Sequence, residues 1–276
     1  MNARPPQPQR ARRPARPAVT SYWDRTQWPL QCLYFLLPLL VGYEIGTLLL
    51  APDGGQRLPP IYAESMLGRF FDWFGATGYH LPALAAATVL LCQHVVRDDP
   101  WRPEFSLYGA MWVESLALAG PLFVFSLVMS GPAAAALIGV PAGPVPLAAG
   151  AAGLEAVPDW TTGVVFSIGA GVYEELLFRM VLIAVIHLAL NEGMALPPAW
   201  SAGGAIAASA VLFALYHPFG TYAFWDWSNG DWGRFVFYTL AGLYFAAIYH
   251  FRGFGIVAAT HALYDVMVIS AHFRTA

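Results

Sequence analysis

From Trp28 to Leu50 the chain carries one charged side chain, Glu44, in an otherwise apolar run. At about 1.5 Å per residue such a run crosses the ~30 Å hydrocarbon core of a bilayer. Comparable runs follow at Tyr79–Val96, Leu107–Met129, Thr162–Leu190, Trp200–Tyr216, Arg234–Phe251 and Gly255–His272. Lipid offers the backbone no hydrogen bonds, so a spanning chain must be helix or closed barrel. These runs are continuous and do not alternate, which excludes the barrel. Only 11% of residues are charged, against about 25% in soluble domains. The expected fold is all-α, a polytopic transmembrane helical bundle of seven or eight spans. The uncertain member is Ala133–Ala152, which holds Pro141, Pro144 and Pro146. It reads as a broken span, a re-entrant segment or a loop on the bilayer.

Outside the spans the chain is punctuated. Residues 1–26 are rich in Pro and Arg and cannot build an apolar core, so they read as a disordered cytoplasmic tail. Residues 27–276 then form a single transmembrane domain. Residues 61–76 alternate polar and aromatic side chains at helical spacing, as an interfacial helix does. The connection after His217 is dense in Trp and Tyr, as at a membrane surface. All the basic residues are arginine, which reflects composition bias and no particular chemistry. Cys32 and Cys92 lie in apolar helices and are expected to be small buried groups, with no disulfide framework.

Polar residues inside the spans are the informative ones, because a charge at the centre of a membrane helix costs about 2.5–3.5 kcal/mol on insertion scales. "GVYEELLFRM" places Glu174, Glu175 and Arg179 together. Glu175 and Arg179 are four residues apart, on one helix face, and read as an ion pair. Glu174 is left without an ionisable partner on its own helix. "FALYHP" ends a span at His217, and "THALYD" places His261 and Asp265 on one face of the last helix. Groups from three helices find partners only by facing a common interior. Glu, His, His and Asp converging there can hold and activate water, with or without a metal. Glu44 and Glu114 are weaker candidates, as packing groups or lining of the same cavity. His94, His187, His250 and His272 sit near span ends and read as interfacial; Asp226 and Asp231 read as solvated.

The pattern Glu174-Glu175-x-x-x-Arg179, Phe213-x-x-x-His217 and His261-x-x-x-Asp265 resembles the CPBP intramembrane proteases. That family includes the type II CAAX prenyl endopeptidases and the Abi proteins. The resemblance spans residues 174–265 and places the catalytic helices within 162–272. It implies an intramembrane endopeptidase acting on a membrane-anchored protein or peptide substrate in the lipid bilayer, with no nucleic-acid partner. It implies that Glu174 and His217 activate water, and that His261 and residue 265 stabilise the oxyanion. Glu175, Arg179 and Phe213 would hold and tune the site. Many CAAX-type members carry asparagine where Asp265 stands, so Asp265 is protonated, pairs with His261 as its orienting carboxylate, or ligates a metal. No metal is firmly implied; a divalent ion such as zinc, if bound, would be held by Glu174, His217, His261 and Asp265. A proton-coupled transporter and a non-catalytic immunity or scaffold protein are the alternatives.

Six arginines precede residue 27, so the N-terminus is expected in the cytoplasm of what reads as a bacterial inner membrane. With eight spans, His217 lies near the cytoplasmic face; with seven, it faces outward. The eight-span form is favoured, because prolines are tolerated in membrane helices whose neighbours satisfy the freed carbonyls. A cysteine at Ser228, in a background lacking Cys32 and Cys92, should therefore resist an impermeant thiol reagent added to intact cells. Labelling there overturns the eight-span arrangement.

Overall fold

The computed structural model describes residues 20–52, 55, 57–129, 159–217 and 229–275. All regular structure among them is helical. A short helix α1 (Tyr22–Arg25) leads into α2 (Pro29–Leu49), followed by α3 (Tyr62–Asp72), α4 (Leu81–Arg97) and α5 (Phe105–Met129). After the undescribed segment come α6 (Trp160–Gly193) and α7 (Pro198–Tyr216). The final stretch Asn229–Thr275 breaks at Gly253, whose φ of 80° and ψ of 179° interrupt the helix. Its two arms are α8 (residues 229–252) and α9 (residues 254–275).

Local chemistry sets the starts. Proline stands in the first turn of α2, α4 and α7, where its missing N–H costs nothing. Asp159 caps α6 by accepting from the Thr162 backbone N–H at 3.0 Å and from its hydroxyl at 2.7 Å. Those bonds hold the Asp159 carboxyl below the usual carboxylate range. Leu176–Leu182 and Ala189–Gly193 within α6 wind as wider π-helical turns, a feature that often marks functional positions.

Among the described residues, five helices are long and apolar enough to cross a bilayer. The last divides at Gly253, and α4 is a shorter apolar helix of 17 residues. The seven- and eight-span forms differ by Ala133–Ala152, which lies outside the described residues, as do residues 1–19. The expected helix over residues 61–76 is α3, ending at Asp72. One expectation fails: Cys32 is buried, but Cys92 is exposed on α4. An apolar outer surface is natural in lipid, and Leu37, Val41, Ile45 and Leu48 form a similar exposed stripe along α2.

The centre of the bundle is the α8–α9 unit: 67% of its most apolar 18-residue stretch is buried, against 22–39% of the corresponding stretches of the other long helices. It packs against α5, α6 and α7. Lipid tails are as apolar as leucine, so helices associate through close packing and polar contacts, favoured by small residues. Gly171 on α6 meets Ala258 and Ala262 of α9, and Gly242 on α8 meets Ala210 of α7. A Cβ at Gly171 would stand 2.5 Å from the Ala262 nitrogen and 2.7 Å from the Ala258 oxygen, both backbone atoms that cannot turn aside. Gly171→Ala should therefore force α6 and α9 apart. Overpacking costs about 1–3 kcal/mol, read as a melting temperature lower by about 2–4 °C per kcal/mol in detergent. An unchanged melt contradicts the close approach.

Candidate active site

Glu174 and Glu175 sit where α6 passes from α-helical to π-helical winding, and neither side chain has solvent-exposed surface. Gly171, one turn earlier, lets this stretch of α6 touch α9. The two carboxylates then diverge. Glu175 Oε2 lies 3.0 Å from Arg179 Nε, so the expected ion pair forms. Arg179 is fully enclosed, with its guanidinium 4.2 Å from the Phe213 ring centre and 5.5 Å from that of Phe245. It also donates from Nη2 to the Gly242 carbonyl at 3.3 Å. The other oxygen of Glu175, Oε1, lies 2.7 Å from His261 Nδ1. One carboxylate thus joins Arg179 on its own helix to His261 on α9.

Glu174 faces the other way round the helix. Its Oε1 accepts from the Tyr216 hydroxyl at 3.2 Å. Its Oε2 has no hydrogen-bond partner among the described residues and lies 3.9 Å from both His217 Nε2 and His261 Nε2. That separation is too long for a direct bond and short enough for one bridging water.

Hydrogen bonds at the far nitrogens fix both rings. His217 Nδ1 is 2.7 Å from the Phe213 carbonyl oxygen. A carbonyl only accepts, so Nδ1 carries the proton, and Nε2 of the neutral ring presents a lone pair toward Glu174. His261 Nδ1 donates to Glu175 in the same way. Aromatic planes hold the rings from the side: Tyr238 stacks on His217 at 3.8 Å and Phe245 on His261 at 4.4 Å. Asp265 Oδ2 lies 3.6 Å from His261 Nε2, outside hydrogen-bond range. A cavity of about 10 Å³ opens against His217, His261, Asp265, Tyr238, Phe245 and Tyr264, at the lower limit for one water.

Glu174, Glu175, Arg179, Phe213, His217, His261 and Asp265 therefore meet in one interior. The alternative in which Asp265 orients His261 is not what the geometry shows; Glu175 occupies the orienting nitrogen. Glu44 and Glu114 do not line this cavity. Glu114 pairs with Arg252 and accepts from the Tyr22 hydroxyl at 2.7 Å. Glu44 lies 2.8 Å from His80 Nδ1 and accepts from Tyr173 at 3.2 Å. Nearby, Arg57 contacts Glu64 at 3.0 Å, and Tyr43 donates to Glu64, whose carboxyl is pushed up from its ordinary range by burial. His94, read as interfacial, is instead fully buried with its ring edge-on to Trp101 at 4.4 Å. His250 and His272 are exposed, and His187 is half-buried. The side chains of Asp226 and Asp231 lie outside the described residues.

A family model described as type II CAAX prenyl endopeptidase Rce1-like matches residues 156–267. Over those residues the chain is similar to that family. The matched segment carries every residue of the converging set, and the apolar helices support an integral membrane protein. No curated protein and no solved structure matches the chain. Imidazole and carboxylate donors of this kind suit zinc. Among the described residues, however, no three His, Cys, Asp or Glu side chains converge as ligands of one metal ion.

Tyr216, Tyr238 and Phe245 carry no signal in sequence beyond aromaticity within a span.

Removing one partner of a buried pair costs about 3–5 kcal/mol, because the other charge stays behind. Glu175→Gln should therefore lower the melting temperature markedly and release both Arg179 and His261. If Glu175→Gln melts with the wild type, the shared-carboxylate arrangement is wrong.

Proposed function

We propose that the protein is an intramembrane endopeptidase that hydrolyses a peptide bond of a membrane-anchored substrate with a water activated by Glu174 and His217. The observation that carries this reading is the free Oε2 of Glu174, 3.9 Å from two imidazole Nε2 atoms whose other nitrogens are already engaged. A water between them meets two acceptors, Glu174 Oε2 and the lone pair on His217 Nε2. Its oxygen attacks the carbonyl carbon as its proton passes to this pair. The carbonyl oxygen becomes the oxyanion. His261 enters the step as imidazolium, carrying a proton taken from solvent before the attack, and donates to the oxyanion from Nε2 with the Glu175 carboxylate behind the ring, as preorganised donors do in acyl transfer. The proton then returns to the departing amine, and the peptide bond breaks. Asp265, beside His261, adjusts the donor side of the site.

A membrane-anchored substrate follows from where the groups lie, within helices apolar enough to cross a bilayer. The family description names CAAX prenyl endopeptidases, so a farnesylated peptide ending in the CAAX pattern is the first substrate to test. A membrane-anchored peptide without a prenyl group is the second. The N-terminus is placed in the cytoplasm on the arginines of residues 1–26.

The test uses the purified full chain in proteoliposomes with internally quenched peptides of both kinds. Cleavage of at least one is expected, and Glu174→Gln, nearly isosteric, should abolish it while the melting temperature stays close to that of the wild type. Proton flux without cleavage of either peptide, or wild-type turnover by Glu174→Gln, overturns the proposal.

A further inference from the structure

We infer that Tyr216 is a positioning residue for Glu174, fixing one carboxylate oxygen so that the other stays turned to the two imidazoles; this rests on the hydrolytic reading above. The two oxygens of a glutamate are chemically equivalent, and the last torsion of the side chain is soft. A buried carboxylate turns toward whatever donors surround it, so a base needs something that distinguishes its oxygens. Here the Tyr216 hydroxyl donates to Oε1 at 3.2 Å, and Oε2 keeps no hydrogen-bond partner among the described residues.

The hydroxyl is held in turn. The Tyr216 ring is wedged between Phe178 and Tyr62, each 5.2 Å away centre to centre. Tyr62 belongs to the first turn of α3. Tyr216 also precedes His217, whose Nδ1 donates to the Phe213 carbonyl. One turn of α7 thereby sets the geometry of both groups that face the water. The far support comes from α3, a helix outside the candidate spans.

Tyr216→Phe keeps the ring and removes only the hydroxyl. It is tested in the full chain in proteoliposomes, with whichever quenched peptide the wild type cleaves. A misaligned base costs up to about 100-fold in rate. The expected result is a kcat lower by roughly 10- to 100-fold, an unchanged KM, an unchanged melting temperature and a displaced acid limb of the kcat–pH profile. A purely packing role moves the melting temperature and leaves that limb in place. Wild-type kcat in Tyr216→Phe, with Glu174→Gln inactive, overturns the inference and leaves the hydrolytic reading standing. A rate loss matched by a lower melting temperature and an unmoved acid limb overturns it as well. Wild-type turnover by Glu174→Gln removes the hydrolytic reading and this inference with it.

Discussion

Glu175 is shared between a guanidinium and an imidazole, and the interior of the bundle depends on it. Arg179 has no exposed side-chain surface, and an isolated buried charge of that size costs several kcal/mol or more. The Glu175 carboxylate, the Gly242 carbonyl and the two aromatic faces of Phe213 and Phe245 replace its lost hydration. They come from α6, α7 and α8, and the second oxygen of Glu175 reaches His261 on α9. One ion pair therefore sets the relative placement of four helices. It also frees Glu174, because the only cation on this stretch of α6 is already engaged.

Such a centre requires very close helices, and small residues provide that. Gly171 against Ala258 and Ala262 brings α6 to α9; Gly242 against Ala210 brings α8 to α7. Elsewhere in the described residues buried charge follows the same rule. Arg252 pairs with Glu114 and also donates to Thr26 at 3.0 Å, fastening the chain just after α1 to the break between α8 and α9. Arg57 pairs with Glu64 beside Glu44. In both clusters a guanidinium stands against the carboxylates. The cluster at Glu174 differs in leaving a carboxylate oxygen, Glu174 Oε2, and an imidazole nitrogen, His217 Nε2, without hydrogen-bond partners among the described residues.

The helices were legible because a single physical demand, backbone satisfaction in lipid, governs every long apolar run. The Glu175–Arg179 pair was legible because four residues is one helical turn. The convergence of Glu174, His217, His261 and Asp265 was legible by elimination, since polar groups on separate apolar helices have nowhere else to go. What lay beyond the sequence were contacts between helices that no spacing encodes. The bond from Glu175 to His261 joins residues far apart in the chain, and it displaced Asp265 from the orienting role. Stacking by Tyr238 and Phe245 depends on how α8 rotates, which one apolar helix among several does not announce. Glu44 and Glu114 showed the reverse failure: they resemble cavity residues by position, but partners outside the runs claim them. Cys92 lies exposed because a membrane protein has an apolar exterior, so apolar surroundings in sequence do not imply burial in the protein.

The two histidines resemble each other in sequence, each in an apolar helix, yet the groups behind them differ. His217 leans on a backbone carbonyl, which fixes the tautomer and contributes no full charge. His261 leans on a carboxylate, which favours the ring when it carries a second proton. In the proposed reaction the first ring would keep an open lone pair, and the second would donate to the oxyanion. One stands on α7 and one on α9, with Glu174 of α6 equidistant from both. The arrangement depends on the carboxylates of Glu174 and Glu175 being adjacent in sequence but committed to different partners. A chain with one glutamate at this position could orient His261 or meet the water, but not both.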